Sequence, residues 1–192
     1  MTVVYPLAAM GSDRNIVLTG FMGTGKTTSG RLLASMLGLD FVDTDKIIEN
    51  RHGPIADIFT NRGEEAFRQM EAQVAIDLSA TSGHVISTGG AMLLDPANRA
   101  ALAEGGDIIC LVASAETLVE RLRLDEHQVN RPLLSAENPQ QRIVEILADR
   151  ETGYSQYLQV RTDGLSPAEV AAAIAVIVRG EVSGADGSQV GR

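Results

Sequence analysis

Cysteine and histidine are scarce in this sequence of 192 residues, and no long apolar run is present. The single cysteine, Cys110, cannot form a disulfide within the chain, and its place in an apolar run predicts a buried structural thiol. His52, His84 and His127 are scattered without the spacing of metal ligands, so a histidine metal site is not expected. Because no apolar run approaches the length of a membrane span, we expect a soluble protein without membrane contact.

Basic side chains are the minority: Lys and Arg total 16 against 25 Asp and Glu, a formal net charge of −9 at pH 7. Because nucleic-acid binding depends on clustered Lys and Arg, no nucleic-acid partner is expected. Residues 1–9 are mildly apolar but lack the basic flank of a signal peptide, which predicts a cytoplasmic protein. Residues 1–14 are expected to form a flexible N-terminal extension. Residues 180–192, rich in Gly and Ser, predict a disordered tail. We expect a monomer.

Residues 20–27 (GFMGTGKT) match the phosphate-binding pattern G-x-x-x-x-G-K-[ST] and directly follow a short apolar run. The residues after the pattern, up to position 37, have helical spacing. The glycine-rich loop is therefore predicted to lie at a helix N-terminus, where free N–H groups and the helix dipole attract anions. A chance glycine-rich turn is the alternative.

The side chains of this loop make the prediction more specific. Gly23 and Gly25 allow the backbone to wrap closely around a phosphate. Lys26 is expected to be exposed and to reach the β- and γ-phosphates, and the Thr27 hydroxyl can ligate Mg²⁺. The loop therefore predicts binding of a nucleoside triphosphate with magnesium.

Five short apolar runs alternate with helical patterns along the chain. This alternation predicts an α/β fold, doubly wound, with a five-stranded parallel sheet covered by helices on both faces. A single domain over residues 15–179 is expected. In such sheets ligands bind beyond the carboxyl ends of the strands, so site residues are sought there. The apolar runs are 16–18, 41–42, 84–87, 107–112 and 158–160.

Two carboxylates, Asp43 and Asp45, follow the second run. Because side chains alternate along an extended backbone, both should point the same way, toward the phosphate loop. One carboxylate could then bind the water shell of a metal ion, and the other could bind a substrate hydroxyl. A solvated turn, or a helix N-cap made by Asp45, explains the pair equally well.

Arg68 and Glu71 share one face of a predicted helix, and Gly89 and Gly90 end the third run. An arginine held by a carboxylate suits a substrate carboxylate, whereas an exposed intrahelical ion pair is the simpler interpretation. The two glycines either let a ligand approach the backbone closely or form a tight turn.

A polar, proline-containing stretch over residues 124–138 carries Arg131 between two predicted helices. Loops of this length are uncommon unless they are functional. We interpret it as a mobile lid whose arginine brings positive charge to a transferring phosphoryl group, the alternative being a structureless connection.

These motifs, in this order and approximate spacing, resemble the shikimate kinase family over about residues 15–178. They are the P-loop, Asp-Thr-Asp, Ile-Phe-x-x-x-Gly-Glu-x-x-Phe-Arg-x-x-Glu, Thr-Gly-Gly, Arg-Pro-Leu-Leu and a late Arg followed by Tyr. The resemblance implies a P-loop kinase fold and phosphorylation of the 3-hydroxyl of shikimate with ATP and Mg²⁺, a step toward aromatic amino acids.

The resemblance also implies residue roles. Asp45 would hold the attacking hydroxyl and act as base, with Lys26 and Arg131 as the other catalytic side chains. The implied nucleotide contacts are Gly23, Thr24, Gly25, Lys26, Thr27, Thr28, Arg131 and an adenine-contacting arginine, Arg121 or preferably Arg123. The implied metal residues are Thr27 and Asp43. The implied substrate residues are Asp45, Arg68 oriented by Glu71, Gly89, Gly90 and Arg150.

Two departures from the family pattern bear on the acceptor. Ala91 stands where the family has a third glycine, and Glu151 to Gly153 replace the usual residues after the late arginine. A related kinase for another small polyol or hydroxy acid therefore stays open. A nucleotide-binding module without phosphoryl transfer is disfavoured, because it would have no need of Lys26, Asp45 and Arg131 together.

Overall fold

Residues 14–124 and 138–180 are described by a computed structural model, and within them five strands alternate with seven α-helices. The strands are β1 Asn15–Thr19, β2 Asp40–Asp43, β3 His84–Ser87, β4 Gly106–Val112 and β5 Leu158–Arg161. The helices are α1 Lys26–Leu37, α2 Thr44–His52, α3 Ile55–Ser79, α4 Pro96–Gly105, α5 Ala115–Leu124, α6 Pro139–Ser155 and α7 Pro167–Val178. A 3₁₀ turn, Met92–Leu94, follows β3.

The strands form one parallel sheet in the order β2-β3-β1-β4-β5. The chain builds β2 and β3 on one side of β1 and then crosses to build β4 and β5 on the other. The predicted doubly wound, five-stranded parallel sheet is confirmed. Its carboxyl edge, where the loops after all five strands emerge, is where a ligand is expected.

Helices cover both faces of the sheet, and β1 shows why its central residues, 16–18, are apolar. Ile16 and Leu18 pack against α1 and α7, whereas Val17 points to the opposite face, against α2, α3 and α4. Since side chains alternate along a strand, a strand covered on both faces buries every position. A third apolar cluster joins the end of the sheet to α5 and α6 and contains Cys110, which is fully buried as predicted.

Some features of the fold were not predicted from the sequence, and others lie outside the described residues. Gly63 interrupts α3 with a φ of 80° and a ψ of 172°. The helix α4 was not among the predicted elements. The N-terminal extension, the lid with Arg131 and the C-terminal tail lie almost wholly outside the described residues. No helix in the described ranges combines the length and apolarity needed to cross a membrane.

The buried side chain of Asn15 joins the starts of β1 and β3 to the end of α3. Its Nδ2 donates to the carbonyl oxygens of Leu78 (3.4 Å) and Thr81 (2.8 Å). Its Oδ1 accepts from the N–H of His84 at 3.0 Å. Because Asn15 is 1% exposed, water cannot replace these hydrogen bonds when the side chain is removed.

We expect Asn15→Ala to lower the free energy of unfolding by roughly 1–3 kcal/mol, the usual cost of leaving a buried polar group unsatisfied. Urea unfolding followed by circular dichroism measures the change. The matched control is Asn50→Ala on the exposed surface of α2, which should change the free energy of unfolding by less than about 0.5 kcal/mol. Equal midpoints for Asn15→Ala and wild type would contradict the structural role.

Candidate active site

The loop between β1 and α1 is shaped to receive an anion. Gly23 and Gly25 have φ angles of 81° and 94°, a left-handed conformation that side chains with a Cβ rarely adopt. Gly25 is also the N-cap of α1 and supplies no side-chain cap, so the first N–H groups of the helix are left for a ligand. Thr24 is buried and braces the loop, since its Oγ1 donates to the carbonyl of Phe21 at 2.8 Å.

Lys26 lies inside the loop rather than on its surface. Its Nζ donates to the carbonyl oxygens of Gly20 (2.8 Å) and Phe21 (2.9 Å), and the residue is 9% exposed. The expectation of an exposed lysine is wrong, because the loop curls around the ammonium group and its carbonyls replace water. Burial lowers the pKa of Lys26 from 10.5 to about 8, with the nearby Asp45 carboxylate opposing the shift.

Asp43 links the phosphate loop to β2 and α2. One oxygen, Oδ2, accepts from Thr27 Oγ1 at 2.9 Å, and the other accepts from the N–H groups of Asp45 (3.1 Å) and Lys46 (3.4 Å). Asp43 is therefore the N-cap of α2, which corrects the alternative in which Asp45 had that role. The Thr27 hydroxyl and the Asp43 carboxylate supply the hard oxygen donors that Mg²⁺ prefers.

Asp45 is the least satisfied polar group of the site. Its Oδ1 is buried and has no hydrogen-bond partner within residues 14–124 and 138–180. Burial raises the pKa of Asp45 from 3.8 to about 6, and the neighbouring charge of Asp43 adds to the shift. Since a buried carboxylate oxygen normally has a partner, this one is available to a ligand hydroxyl.

Gly89 lies against both carboxylates of this part of the site. A Cβ at Gly89 would lie 2.9 Å from Asp45 Oδ1 and 3.0 Å from Glu71 Oε1, so no larger residue fits without displacing one of them. The N–H of Gly89 donates to Thr44 Oγ1 at 3.0 Å, and Thr44 is fully buried. The turn after β3 is thereby attached to the residue between the two aspartates.

Arg68 is held by two carboxylates on α3. Its Nη1 donates to Glu71 Oε2 at 2.7 Å, and its Nη2 to Glu64 Oε1 at 2.6 Å. Glu71 is 1% exposed, whereas the Arg68 side chain is 40% exposed. The simple exposed ion pair considered above is therefore wrong, since a buried glutamate holds an arginine whose head still reaches solvent.

Arg150 reaches the same site from α6. Its guanidinium carbon lies 5.4 Å from the centroid of the Phe21 ring in the phosphate loop. A Cβ at Gly90 would lie 3.7 Å from Arg150 Nη1, which places the guanidinium beside the turn after β3. Gly90 and Arg150, which were both predicted to bind the acceptor, are thus neighbours although they lie 60 positions apart in the sequence.

Ala91 fits its place without strain. Its φ of −109° and ψ of −6° are ordinary for a residue with a Cβ. Within the described ranges, the N–H groups of Gly90 and Ala91 donate no backbone hydrogen bond. Both N–H groups therefore remain available to a ligand in spite of the missing third glycine.

The two arginines considered for adenine have different surroundings. Arg121 donates to the carbonyl of Gly23 at 3.3 Å and to Thr162 through both its hydroxyl (2.9 Å) and its carbonyl (2.6 Å). Arg123 is exposed and lines an open groove between α5 and α6. Only Arg121 of the two contacts the phosphate loop.

Thr44 and Tyr154 contact the site but were not predicted from the sequence. Thr44 would point away from the aspartates in a continuous strand, but the chain enters α2 at this residue. Tyr154 lies four residues after Arg150 in α6, and this spacing places two residues on one helix face. The four-residue spacing from Arg150 could therefore have identified Tyr154 as a site residue from the sequence.

The doubly wound sheet, the phosphate loop and the adjoining pocket of carboxylates and arginines define a P-loop kinase for a small acceptor. The profile of the shikimate kinase family matches residues 22–178, which is well over half of the chain. The chain belongs to the shikimate kinase family.

Individual relatives agree with this assignment. The shikimate kinase of Thermodesulfovibrio yellowstonii is 44% identical over 160 residues, 82% of this chain and 91% of that protein. The shikimate kinase of Symbiobacterium thermophilum is 46% identical over 163 residues, 83% of this chain and 93% of that protein. The solved structure of shikimate kinase from Acinetobacter baumannii in complex with shikimate is 34% identical, with a TM-score of 0.79 over 88% of this chain and 94% of that chain.

We expect Asp45→Asn to stabilise the protein without ligands at pH 8. Since the pKa of Asp45 rises from 3.8 to about 6 on folding, the folded state holds a proton that the unfolded chain has already lost. The stability that this group contributes is thus greatest at low pH and falls as the pH rises through about 6. Thermal unfolding should show a higher midpoint than wild type at pH 8, and the difference should shrink by about pH 4.

The matched control is Asp40→Asn, at an exposed position of β2, which should leave the midpoint unchanged at both pH values. A lower midpoint for Asp45→Asn at pH 8 would mean that the Asp45 carboxylate stabilises the fold, contrary to its lack of a partner.

Proposed function

We propose that this protein transfers the γ-phosphoryl group of ATP to the 3-hydroxyl of shikimate, giving shikimate 3-phosphate and ADP. The observation that carries the proposal is the buried, unpartnered Oδ1 of Asp45 beside the phosphate loop. Membership of the shikimate kinase family supports the reaction, and the Acinetobacter baumannii relative in complex with shikimate supports the acceptor.

In this proposal the nucleotide phosphates lie along the loop between β1 and α1. The N–H groups at the start of α1 and the Lys26 ammonium attract the phosphate charge. Lys26 can keep its hydrogen bonds to the carbonyls of Gly20 and Phe21 and still donate to a phosphate, because its ammonium group has three N–H donors and now uses two of them. The proposed phosphate contacts are Gly23, Thr24, Gly25, Lys26, Thr27, Thr28 and Arg131.

Thr27 and Asp43 are the residues that we propose to hold Mg²⁺. The residues that the structure describes contain no cluster of three or more His, Cys, Asp or Glu suited to a metal. The ion would accordingly depend on these two residues, phosphate oxygens and water, which is how Mg²⁺ is usually bound beside nucleotides. When bound, the ion supplies positive charge that offsets the charge of the phosphates.

Asp45 acts on the acceptor hydroxyl in this proposal. Its free Oδ1 accepts a hydrogen bond from the hydroxyl and so aims the oxygen at the γ-phosphorus. As the new P–O bond forms, the bond to the leaving oxygen of ADP breaks, and Asp45 takes the hydroxyl proton. A carboxyl whose pKa is raised to about 6 is closer to the operating pH than an ordinary aspartate, which favours this transfer.

The arginines and the turn after β3 hold the rest of the acceptor. Arg68 and Arg150 suit the carboxylate of shikimate, because a guanidinium can donate two parallel hydrogen bonds to it. Gly89 leaves room beside Asp45, and the free N–H groups of Gly90 and Ala91 can donate to acceptor hydroxyls. Ala91 has ordinary backbone angles, so the missing third glycine does not argue against shikimate as the acceptor.

The remaining proposals concern the whole chain. We propose that the protein acts as a monomer. Arg131, outside the described residues, is proposed to close over the phosphates as part of a lid. We also propose a cytoplasmic location, the compartment in which ATP is available.

The reaction is tested by ADP release with and without shikimate, and by identifying the phosphorylated position of the product by NMR. We expect release to require shikimate and the product to carry phosphate on the 3-hydroxyl. ADP release independent of shikimate, or release only with another polyol, would overturn the proposed function.

Lys26→Met, assayed in the same way, should lower kcat by at least about a hundredfold, as expected when a charge that stabilises the transition state is removed. Methionine keeps the buried aliphatic stem, so the far-ultraviolet circular dichroism should be unchanged. The control is Lys46→Met, the chain's other lysine, which is exposed on α2 and should keep normal activity. Similar activities for both variants would contradict the role of Lys26.

We expect Arg121→Ala to raise the KM for ATP about tenfold, the effect of losing one charged contact, while the KM for shikimate changes little. The reason is the position of Arg121 against Gly23 and Thr162. Arg123→Ala on the same helix is the control and should keep a normal KM for ATP. A larger effect at Arg123 than at Arg121 would support the preference drawn from the sequence and contradict the one drawn from the contacts.

A further inference from the structure

One phenol hydroxyl joins α6 to the turn after β3. Tyr154 Oη donates to the carbonyl oxygen of Gly90 at 2.6 Å. The Arg150 guanidinium, one turn earlier in α6, lies beside the same turn, since a Cβ at Gly90 would lie 3.7 Å from Arg150 Nη1. A tyrosine hydroxyl has one proton, which Tyr154 donates to Gly90, so its lone pairs are left to accept from a neighbouring donor. The Arg150 guanidinium is such a donor, and it lies beside the same turn.

We propose that Tyr154 is a positioning residue that sets Arg150 and the turn after β3 in the arrangement that the acceptor needs. The inference rests on the proposed function, in which Arg150 binds the acceptor carboxylate. It assigns to Tyr154 no contact with the acceptor itself.

Tyr154 acts on the turn through the planarity of a peptide group. The carbonyl of Gly90 and the N–H of Ala91 belong to the same trans peptide, so they point in opposite directions. Fixing the Gly90 oxygen toward Tyr154 therefore fixes the Ala91 N–H away from α6. That N–H donates no backbone hydrogen bond within the described ranges and is free for an acceptor oxygen.

Tyr154 acts on Arg150 by limiting its freedom. A long arginine side chain has many rotamers, and ordering it only when the substrate binds would weaken binding. The Phe21 ring faces the guanidinium at 5.4 Å, and Tyr154 packs in the same apolar cluster as Phe21, so both rings limit the space that Arg150 can occupy. The guanidinium carries five N–H donors that can serve a carboxylate.

Local packing keeps the hydroxyl in place. Tyr154 is 5% exposed, and its ring packs in the apolar cluster with Phe21 and Leu118. Burial raises the pKa of the Tyr154 hydroxyl, which keeps the proton that it donates to Gly90. The preceding residue, Gly153, lets α6 approach the 3₁₀ turn, since a Cβ there would lie 2.5 Å from Leu94 Cδ2.

The test is Tyr154→Phe, which removes the hydroxyl and keeps the buried ring. We expect the KM for shikimate to rise about tenfold, consistent with the loss of the one hydrogen bond that orders the turn beside Arg150, while the KM for ATP stays within about twofold. The thermal midpoint, measured on the same samples, checks that the fold is kept.

Tyr157→Phe is the matched control. Tyr157 Oη donates to the carbonyl of Leu93 at 3.5 Å, so this phenol contacts the neighbouring 3₁₀ turn without reaching Arg150 or Gly90. Its removal should leave both KM values unchanged. An unchanged KM for shikimate in Tyr154→Phe, or an equal rise in both variants, would overturn the inference.

Arg150→Ala, measured alongside, separates this inference from the proposed function. A large rise of the KM for shikimate in Arg150→Ala together with a normal Tyr154→Phe overturns only the role of Tyr154. A normal KM for shikimate in Arg150→Ala overturns the assignment of Arg150 and the inference with it. In the double variant, the effect of Tyr154→Phe should be smaller than in wild type, because the two residues act on the same contact.

Discussion

The parallel pairing of β1 with β3 and β4 is the constraint on which the site depends. Leu18 pairs with Ser87, the last residue of β3, and Thr19 pairs with Cys110, two residues before the end of β4, so the phosphate loop after β1 emerges beside the carboxyl ends of both neighbours. The ends of parallel strands all lie at one edge of the sheet, and segments far apart in the sequence therefore meet there. Slipping one strand by a residue would reverse its inward and outward side chains and separate these groups.

Two ionisable side chains at this edge of the sheet, Lys26 and Asp45, are buried in surroundings that disfavour charge. Burial lowers the pKa of Lys26 and raises that of Asp45, so each is held in surroundings that disfavour its charged form. Such groups reduce stability, and the fold tolerates them because the sheet and its two apolar layers are extensive. An anion and a hydroxyl would supply the missing partners, which is why unfavourable burial is typical of binding and catalytic sites.

Two side-chain hydroxyls, those of Thr44 and Tyr154, connect the parts of the acceptor pocket, although neither is proposed to contact a ligand. Thr44 accepts from the N–H of Gly89, and Tyr154 donates to the carbonyl of Gly90, so the turn after β3 is held from α2 and from α6. The two hydrogen bonds measure 3.0 Å and 2.6 Å and involve side chains that are largely buried, and a satisfied polar contact in such surroundings restricts its neighbours to one arrangement. The pocket is thus ordered by residues that belong to three separate elements.

The sequence by itself determined the sheet, the phosphate loop and the residue types of the site, because apolar periodicity and glycine spacing are local properties. It also placed Asp43 and Asp45 beside the loop, although the two face it because α2 begins at Thr44 and not because a strand alternates. Tertiary structure alone decided that Lys26 is buried and that Glu71 holds Arg68 from the interior. Burial and hydrogen-bond partners arise from segments that meet only in the folded chain, so no local pattern records them.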